Sequence, residues 1–435
     1  MARNYFNQSD IISGYISSGE EDDVIESDVD DGNISDGAII GSDGDFESSE
    51  SDSDIDEPPN RRRRTADRIP AADTNAEFVR GQNLTPTDIP FAGDPGVKVR
   101  NIAGLSPFGY LKLFITTSIM NTIVTETNRF AMESPDSESW ETVTADDMWR
   151  FFALVILMGL SRKPRLSNYW SRKPIYNNPI FSKTLSRDRF QRILGRLHFV
   201  NNAEQANDPN NRLFKLGTVY KNITDRFKAV YTPMTNISID ETLSKWRGRV
   251  SFRQYIPSKA AKYGIKAFVL AEAATGYVYC HHIYTGNEKE AAAAAGMSIT
   301  ENIVMCLMVS LLHLGYKLWM DNWYNSPGLA KRLLAARTHV CGTLRSNRKE
   351  VPTLVQKHPN NTTLKKGESV TYSSDKIMVG TWQDKKPITM LSTMHQNCSP
   401  VPTGNTTRDG QPILKPTCIQ DYNRYVPFII YRSSN

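Results

Sequence analysis

Ile237-Ser238-Ile239-Asp240 is a short β-branched run that ends on a carboxylate, and Tyr316-Lys317-Leu318-Trp319-Met320-Asp321 ends the same way 81 residues later. The stretch between them alternates between strand-like and helix-like patterns. Apolar runs over 264–271 and 275–284 predict two strands joined by a tight turn at Ala274-Thr275-Gly276. Ile303, Leu307, Leu311 and Leu314 recur at helical spacing, which predicts a helix over 298–314. A strand over 316–320, a helix over 327–336 and a strand over 339–344 complete the region.

The order over 236–345 is therefore β-β-β-α-β-α-β, an antiparallel meander followed by alternating helices and strands. That is the order of a ribonuclease H-like α/β fold, in which the first and fourth strands lie side by side. Asp240 and Asp321 then end adjacent strands and converge at one edge of the sheet. Clustered carboxylates repel unless a cation sits between them, and hard oxygen ligands favour Mg2+ or Mn2+. A pair of such ions about 4 Å apart can activate a water or a 3′-OH for phosphodiester cleavage and strand transfer. Each aspartate by itself reads first as a turn former at a strand end; the placement of both on matching ends of neighbouring strands leaves the two readings balanced.

Other candidate sites are weaker. Glu241, next to Asp240 on a strand, is expected to face away from it, and His281 and His282 are expected to point to opposite faces and share no ion. No glycine pattern makes a Walker-type phosphate loop, so no nucleotide cofactor is expected.

Outward from the core the chain changes character. The formal net charge of +5 hides a division: residues 1–59 hold eighteen Asp and Glu against Arg3 alone, a balance of −17 that leaves +22 for the remainder. Residues 1–90 read as a disordered acidic tail with a basic linker, since the tail has too little apolar surface to offset its ordering entropy. Ser48, Ser49, Ser51 and Ser53 stand among acids, and suit either an acid-directed kinase or a merely solubilising tail. Arg61-Arg62-Arg63-Arg64 reads as a nuclear import signal or a nonspecific DNA contact. A basic body points to a polyanionic partner, nucleic acid first.

Residues 91–235 read as all-α: one long amphipathic stretch from Ser106-Pro107 through Phe114, Ile119 and Ile123, a helix over 148–160 capped from Thr144, and another from Ser186 to His198. The basic faces suit phosphate contact or simply a solvated bundle. Residues 346–414 read as a small β-containing insertion and 415–435 as a truncated return to the core. Five scattered cysteines without a C-x-x-C argue against a disulfide framework or a zinc site. The N-terminus lacks a signal-peptide pattern, and the longest apolar run, 151–160, falls short of the ~20 residues a bilayer needs. A soluble intracellular protein with no membrane partner is expected.

Specific phrases, in a fixed order, carry a family resemblance across residues 91–425. They include Asn168-Tyr169-Trp170-Ser171, Ser186-Arg187-Asp188-Arg189-Phe190, Ile237-Ser238-Ile239-Asp240-Glu241 and Arg247-Gly248-Arg249. Lys262-Tyr263-Gly264-Ile265-Lys266, Asp321-Asn322-Trp323-Tyr324 and Gly342-Thr343-Leu344-Arg345-Ser346-Asn347-Arg348 follow. The chain resembles the piggyBac transposase family. The resemblance implies a cut-and-paste DNA transposase that excises through hairpin ends and inserts at TTAA, works as a homodimer in the nucleus, and binds double-stranded DNA at transposon ends. It makes 91–235 a dimerisation and DNA-binding domain, 236–345 the catalytic domain, and Asp240 and Asp321 the first two catalytic metal ligands. The cations Arg247, Arg249, Lys259, Lys262, Lys266, Arg345 and Arg348 are the DNA contacts expected from it. After Tyr422-Asn423-Arg424-Tyr425 the family continues Met-Gly-Gly-Val-Asp, whose Asp is the third ligand. This chain reads Val426-Pro427-Phe428-Ile429-Ile430, and Asp421 stands too early to replace the missing group. The expectation is a transposase fold with an impaired metal site and little or no transposition; the other reading is a nuclear DNA-binding or chromatin protein without chemistry.

Overall fold

A computed structural model describes residues 78–426, apart from 136, 208–209, 258–261, 353–354, 356–363, 375 and 409. The acidic tail, Arg61–Arg64, Lys259 and Ile430 lie outside the described residues. The strands, in chain order, are β1 (Val79–Arg80), β2 (Gly96–Val97), β3 (Tyr231–Thr232), β4 (Asn236–Lys245), β5 (Gln254–Tyr255), β6 (Tyr263–Glu272) and β7 (Val278–Ile283). There follow β8 (Lys317–Met320), β9 (His339–Thr343), β10 (Ser369–Ser373), β11 (Met378–Gln383), β12 (Pro387–Ser392), β13 (Pro400–Thr406) and β14 (Pro412–Pro416).

The chain divides into two compact units. Of the described residues, one unit comprises 120–207 and 245–264, the other 78–119, 210–244 and 265–426. The expected helical stretch 91–235 is thus shared between them, with helices Pro107–Lys112 and Gly217–Val230 in the sheet-bearing unit.

In the first unit, helix Ala145–Leu160 begins with a capping box. The Asp147 N–H donates to Thr144 Oγ1 and the Thr144 N–H donates to the Asp147 carboxylate. Met148, Phe151, Leu154 and Met158 form its buried stripe, at the three- and four-residue spacing that puts side chains on one helical face. Phe151 meets Phe190 with ring centroids 4.8 Å apart, and Tyr169 meets Phe181 at the same distance. Thr144→Ala removes one side of the box and should lower stability by about 1 kcal/mol; urea unfolding checks it, and an unchanged midpoint would contradict the role. The segment Lys245–Gly264 is anchored by buried Trp246, Phe252 and Ile256 and closed by antiparallel pairing of β5 with the start of β6.

The expected continuous helix from Ser106 breaks in two, Pro107–Lys112 and Thr117–Met132. The reason is local: Thr116 Oγ1 accepts from the Ile119 N–H and starts a new helix there.

In the second unit the strands run β1-β10-β11-β12-β9-β8-β4-β6, with β7 also on β6. β4, β8 and β9 run parallel to one another, and from β9 to β12 onward the pairing is antiparallel. Helices cover both faces, which explains why Leu318-Trp319-Met320 reads as an unbroken apolar run. Leu318, Met320 and Val340 pack with Ile303, Val304 and Leu307 of helix Ile299–Met308 and with Leu329 and Leu333 of helix Pro327–Ala335. Trp319 and Cys341 turn to the other face, onto Cys418, Ile419 and Tyr422 of helix Thr417–Tyr425.

Three expectations for this unit need correction. β4 does not end at Asp240 but continues to Lys245, with Leu243 still turned inward. The helix from 298 stops at Met308, after which the chain turns through His313 and Gly315, both at positive φ. Within 346–414 the expected three short strands do not form a sheet of their own: β10, β11 and β12 extend the central sheet, β12 pairing with β9 from Met390↔Thr343 to Ser392↔Cys341, while β13 and β14 form a separate two-stranded sheet. Among the described residues no single helix is long and apolar enough to cross a membrane.

Candidate active site

Parallel pairing of β4 with β8 sets the site. The register runs Asn236↔Lys317 to Ile239↔Met320, so Asp240 and Asp321 are the next residues along on neighbouring strands. Parallel neighbours lie about 4.8 Å apart, and the two carboxylates start from the same end of the sheet. Asp240 is buried, and its Oδ1 accepts from the Glu241 N–H at 2.8 Å. Asp321 Oδ1 accepts from the Trp323 N–H at 3.0 Å, as a residue closing a turn does. Burial, and then the Glu241 charge, push the Asp321 carboxyl up to about 6 against the pull of backbone N–H donors and Arg345.

Glu241 was expected to face away. Instead the loop after β8 folds back across the strand ends, and the fully buried Tyr324 donates its hydroxyl to Glu241 Oε2 at 3.5 Å. Burial raises the Tyr324 hydroxyl pKa well above its usual value, and Glu241, Asp240 and Asp321 add to the effect. Tyr422 is likewise raised by burial and then by Asp321, which brings helix Thr417–Tyr425 to the same negative centre. The alternation of a strand gives no sign of either tyrosine, because a loop and a distant helix deliver them. Asp421 does not join the group: it takes Nε2 of His395 at 3.0 Å, while His395 Nδ1 meets Ser392 Oγ at 2.7 Å. His281 and His282 separate as expected, the first to Tyr220 and the second to Glu288.

Three of the expected DNA-contacting cations gather around the Asp321–Tyr324 loop. Arg345 Nε donates to Asn322 Oδ1 at 3.0 Å, and Arg348 donates to the carbonyls of Asn322 and Trp323. Lys266, buried on β6, holds its ammonium 4.8 Å from the Trp323 ring centroid and 5.1 Å from that of Phe268. Arg247, Arg249 and Lys262 are exposed in the other unit.

The donor chemistry fits a hard divalent cation at Asp240 and Asp321: two carboxylates at one sheet edge, one resisting ionisation because burial, and then the neighbouring Glu241 charge, disfavour its charged form. Among the described residues no group of three or more His, Cys, Asp or Glu side chains is arranged to hold a metal ion.

A family model described as Transposase IS4 matches residues 106–430. Human PiggyBac transposable element-derived protein 3 is 24% identical over 387 residues, covering 86% of this chain and 62% of that protein. Human PiggyBac transposable element-derived protein 2 is 26% identical over 308 residues, covering 69% of this chain and 50% of the relative. The chain thus spans less than two thirds of either relative's length. A cryo-EM structure of a piggyBac transposase synaptic complex with hairpin DNA superposes with a TM-score of 0.65 at 23% identity, covering 78% of this chain and 70% of that one. That likeness shows the fold, a mixed sheet with helices that fits the ribonuclease H-like transposase architecture. With three quarters of its length matched by the family model, the chain belongs to the piggyBac-type transposase family.

Proposed function

We propose that this chain is a transposase-derived DNA-binding protein in which Asp240 and Asp321 hold Mg2+ or Mn2+, and in which strand cleavage and joining is crippled by the loss of a third carboxylate. The observation that carries the reading is the β4–β8 register, which aligns Asp240 with Asp321. A divalent cation bound there supplies the Lewis acidity that activates water or a 3′-OH and steadies the leaving oxygen. The protein's own part is to concentrate negative charge at the strand ends and to hold the Asp321–Tyr324 loop rigid through Arg345 and Arg348. Those two arginines offer cations to phosphates beside the strand ends, and in the other unit the exposed Arg247, Arg249 and Lys262 offer a separate set. The substrate is double-stranded DNA at element ends with a TTAA target, bound by a homodimer in the nucleus, with Arg61–Arg64 as the import signal. The departure at Val426–Ile430, where the family has Met-Gly-Gly-Val-Asp, supports the impairment.

The test is a DNA-binding and nicking assay on the purified chain with Mn2+. Binding should weaken linearly on a log–log plot against salt, as phosphate contacts require, and nicking should stay near background. A chain in which Met-Gly-Gly-Val-Asp and the family sequence follow Tyr425 should nick, and should lose that activity with Asp240→Asn. Robust nicking or excision by the unaltered chain would overturn the impairment. Tight binding with no nicking in the repaired chain would favour a nuclear DNA-binding or chromatin role without catalysis.

A further inference from the structure

The segment Lys245–Gly264 holds six Lys and Arg and no Asp or Glu. Its apolar residues split into two groups. Trp246, Phe252 and Ile256 are 2%, 7% and 4% exposed and fasten the segment inward. Tyr255 and Tyr263 are 51% and 49% exposed and face water. They are directly paired across β5 and β6, so both rings project from the same face of the ladder. Their ring centroids are 4.6 Å apart, tilted by 38°. The Arg253 guanidinium lies 5.0 Å from the Tyr263 centroid, held there by donating to the carbonyl of Arg247 at 3.2 Å. A cross-strand aromatic pair stabilises a hairpin, but that role does not require either ring to stand half in water when three other residues already anchor the segment. Gly248 supports the same design: a Cβ there would press on the Trp246 ring, so Arg247 and Arg249 are carried outward over a fixed aromatic floor.

We infer that Tyr255 and Tyr263, backed by Arg253 and ringed by Arg247, Arg249 and Lys262, form a stacking platform for unpaired DNA bases beside a duplex. The inference rests on the DNA-binding reading above and adds what part of the DNA this unit takes. In an intact duplex the bases are stacked on one another and offer no face to a protein ring. An exposed tyrosine pair therefore selects bases that have left the stack, whatever their identity, while the cations follow the backbone. The charge calls for a polyanionic occupant, taken as DNA on the reading above, since a segment with six cations and no acid repels a basic partner and gives nothing for one to pair with.

The test uses the full chain, a blunt duplex, and the same duplex carrying a short unpaired tail with 2-aminopurine in it, at one fixed salt concentration. The parent should bind both and should quench the 2-aminopurine on stacking. The double variant Tyr255→Ala/Tyr263→Ala should lose about tenfold or more in affinity for the tailed duplex, with blunt-duplex affinity changed by less than about twofold, and should abolish quenching. Tyr255→Phe/Tyr263→Phe should keep both properties. Tyr255→Leu/Tyr263→Leu, which keeps the cross-strand apolar contact, should retain the parent's melting temperature and lose quenching. Equal losses on both DNAs, or a parent that leaves 2-aminopurine bright, would overturn the platform while leaving DNA binding intact. A parent that binds neither DNA would sink the DNA-binding reading itself, and the platform with it.

Discussion

Gly342→Ala should destabilise the protein by at least about 3 kcal/mol, the upper range for forcing atoms into a filled interior, and should lower its melting temperature by roughly 5 °C. Gly342 lies in β9 directly opposite Met320 of β8 in the parallel register. A Cβ placed on it would overlap the Met320 carbonyl oxygen and crowd Asn325 Nδ2 at 3.2 Å. Neither neighbour can yield cheaply. The carbonyl belongs to the sheet backbone, and fully buried Asn325 donates to the Thr343 carbonyl at 3.2 Å. Because Met320 immediately precedes Asp321, any widening of this strand pair also shifts the candidate metal ligand. Gly159 makes a useful control. It sits in helix Ala145–Leu160 with nothing within 4 Å of a would-be Cβ, so Gly159→Ala should be neutral or stabilising by up to about 1 kcal/mol. Calorimetric melting of the two variants checks the pair, and a Gly342→Ala protein melting within a degree of the parent would contradict the packing described.

Asp321→Asn should make the metal-free protein more stable at neutral pH while removing its response to Mn2+. The sign follows from the carboxyl's elevation from 3.8 to about 6 in the folded state. The folded protein holds this proton more tightly than the unfolded chain, so the associated stability is complete below about 3.8. It is lost as pH rises through about 6. At roughly 1.4 kcal/mol per unit, and allowing for the part of the residue that reaches solvent, the penalty above pH 6 is on the order of 2 kcal/mol. The amide does not ionise and escapes it. In chelator, parent and variant should therefore have matching unfolding midpoints near pH 4 and diverge as the pH passes 6, with the variant more stable. With Mn2+ in excess the order should reverse, because a ligand that binds only the folded state stabilises it. A variant less stable than the parent at neutral pH in chelator would contradict the electrostatic reading of this edge.

The sequence shows the parts of this site that rest on local pattern. Ile237-Ser238-Ile239 and Leu318-Trp319-Met320 are apolar on alternating or both sides, and each runs directly into an aspartate, so strand type and carboxylate position are both legible. What closes over them is not. Val79 pairs with Ser373 across nearly three hundred residues, and no local signal announces that β10–β12 will join the sheet rather than form their own. Glu241 looks outward by strand alternation; it belongs to the site only because the chain after Asp321 turns back and brings Tyr324 to it. Tyr422 stands in a helical pattern whose buried face is plain, yet what that face covers depends on where the helix lies. The tyrosine pair of the basic segment is hidden for another reason: Tyr255 and Tyr263 read as ordinary strand residues, and only their exposure sets them apart.

The decisive measurement is Mn2+ binding followed by electron paramagnetic resonance, which reports the free ion directly, on the parent, Asp240→Asn and Asp321→Asn. If the two side chains share one cation, the parent binds Mn2+ saturably and either substitution alone abolishes that binding while leaving the protein folded. A parent that leaves all the added Mn2+ free, or two variants that bind it as the parent does, would show that these aspartates only end their strands.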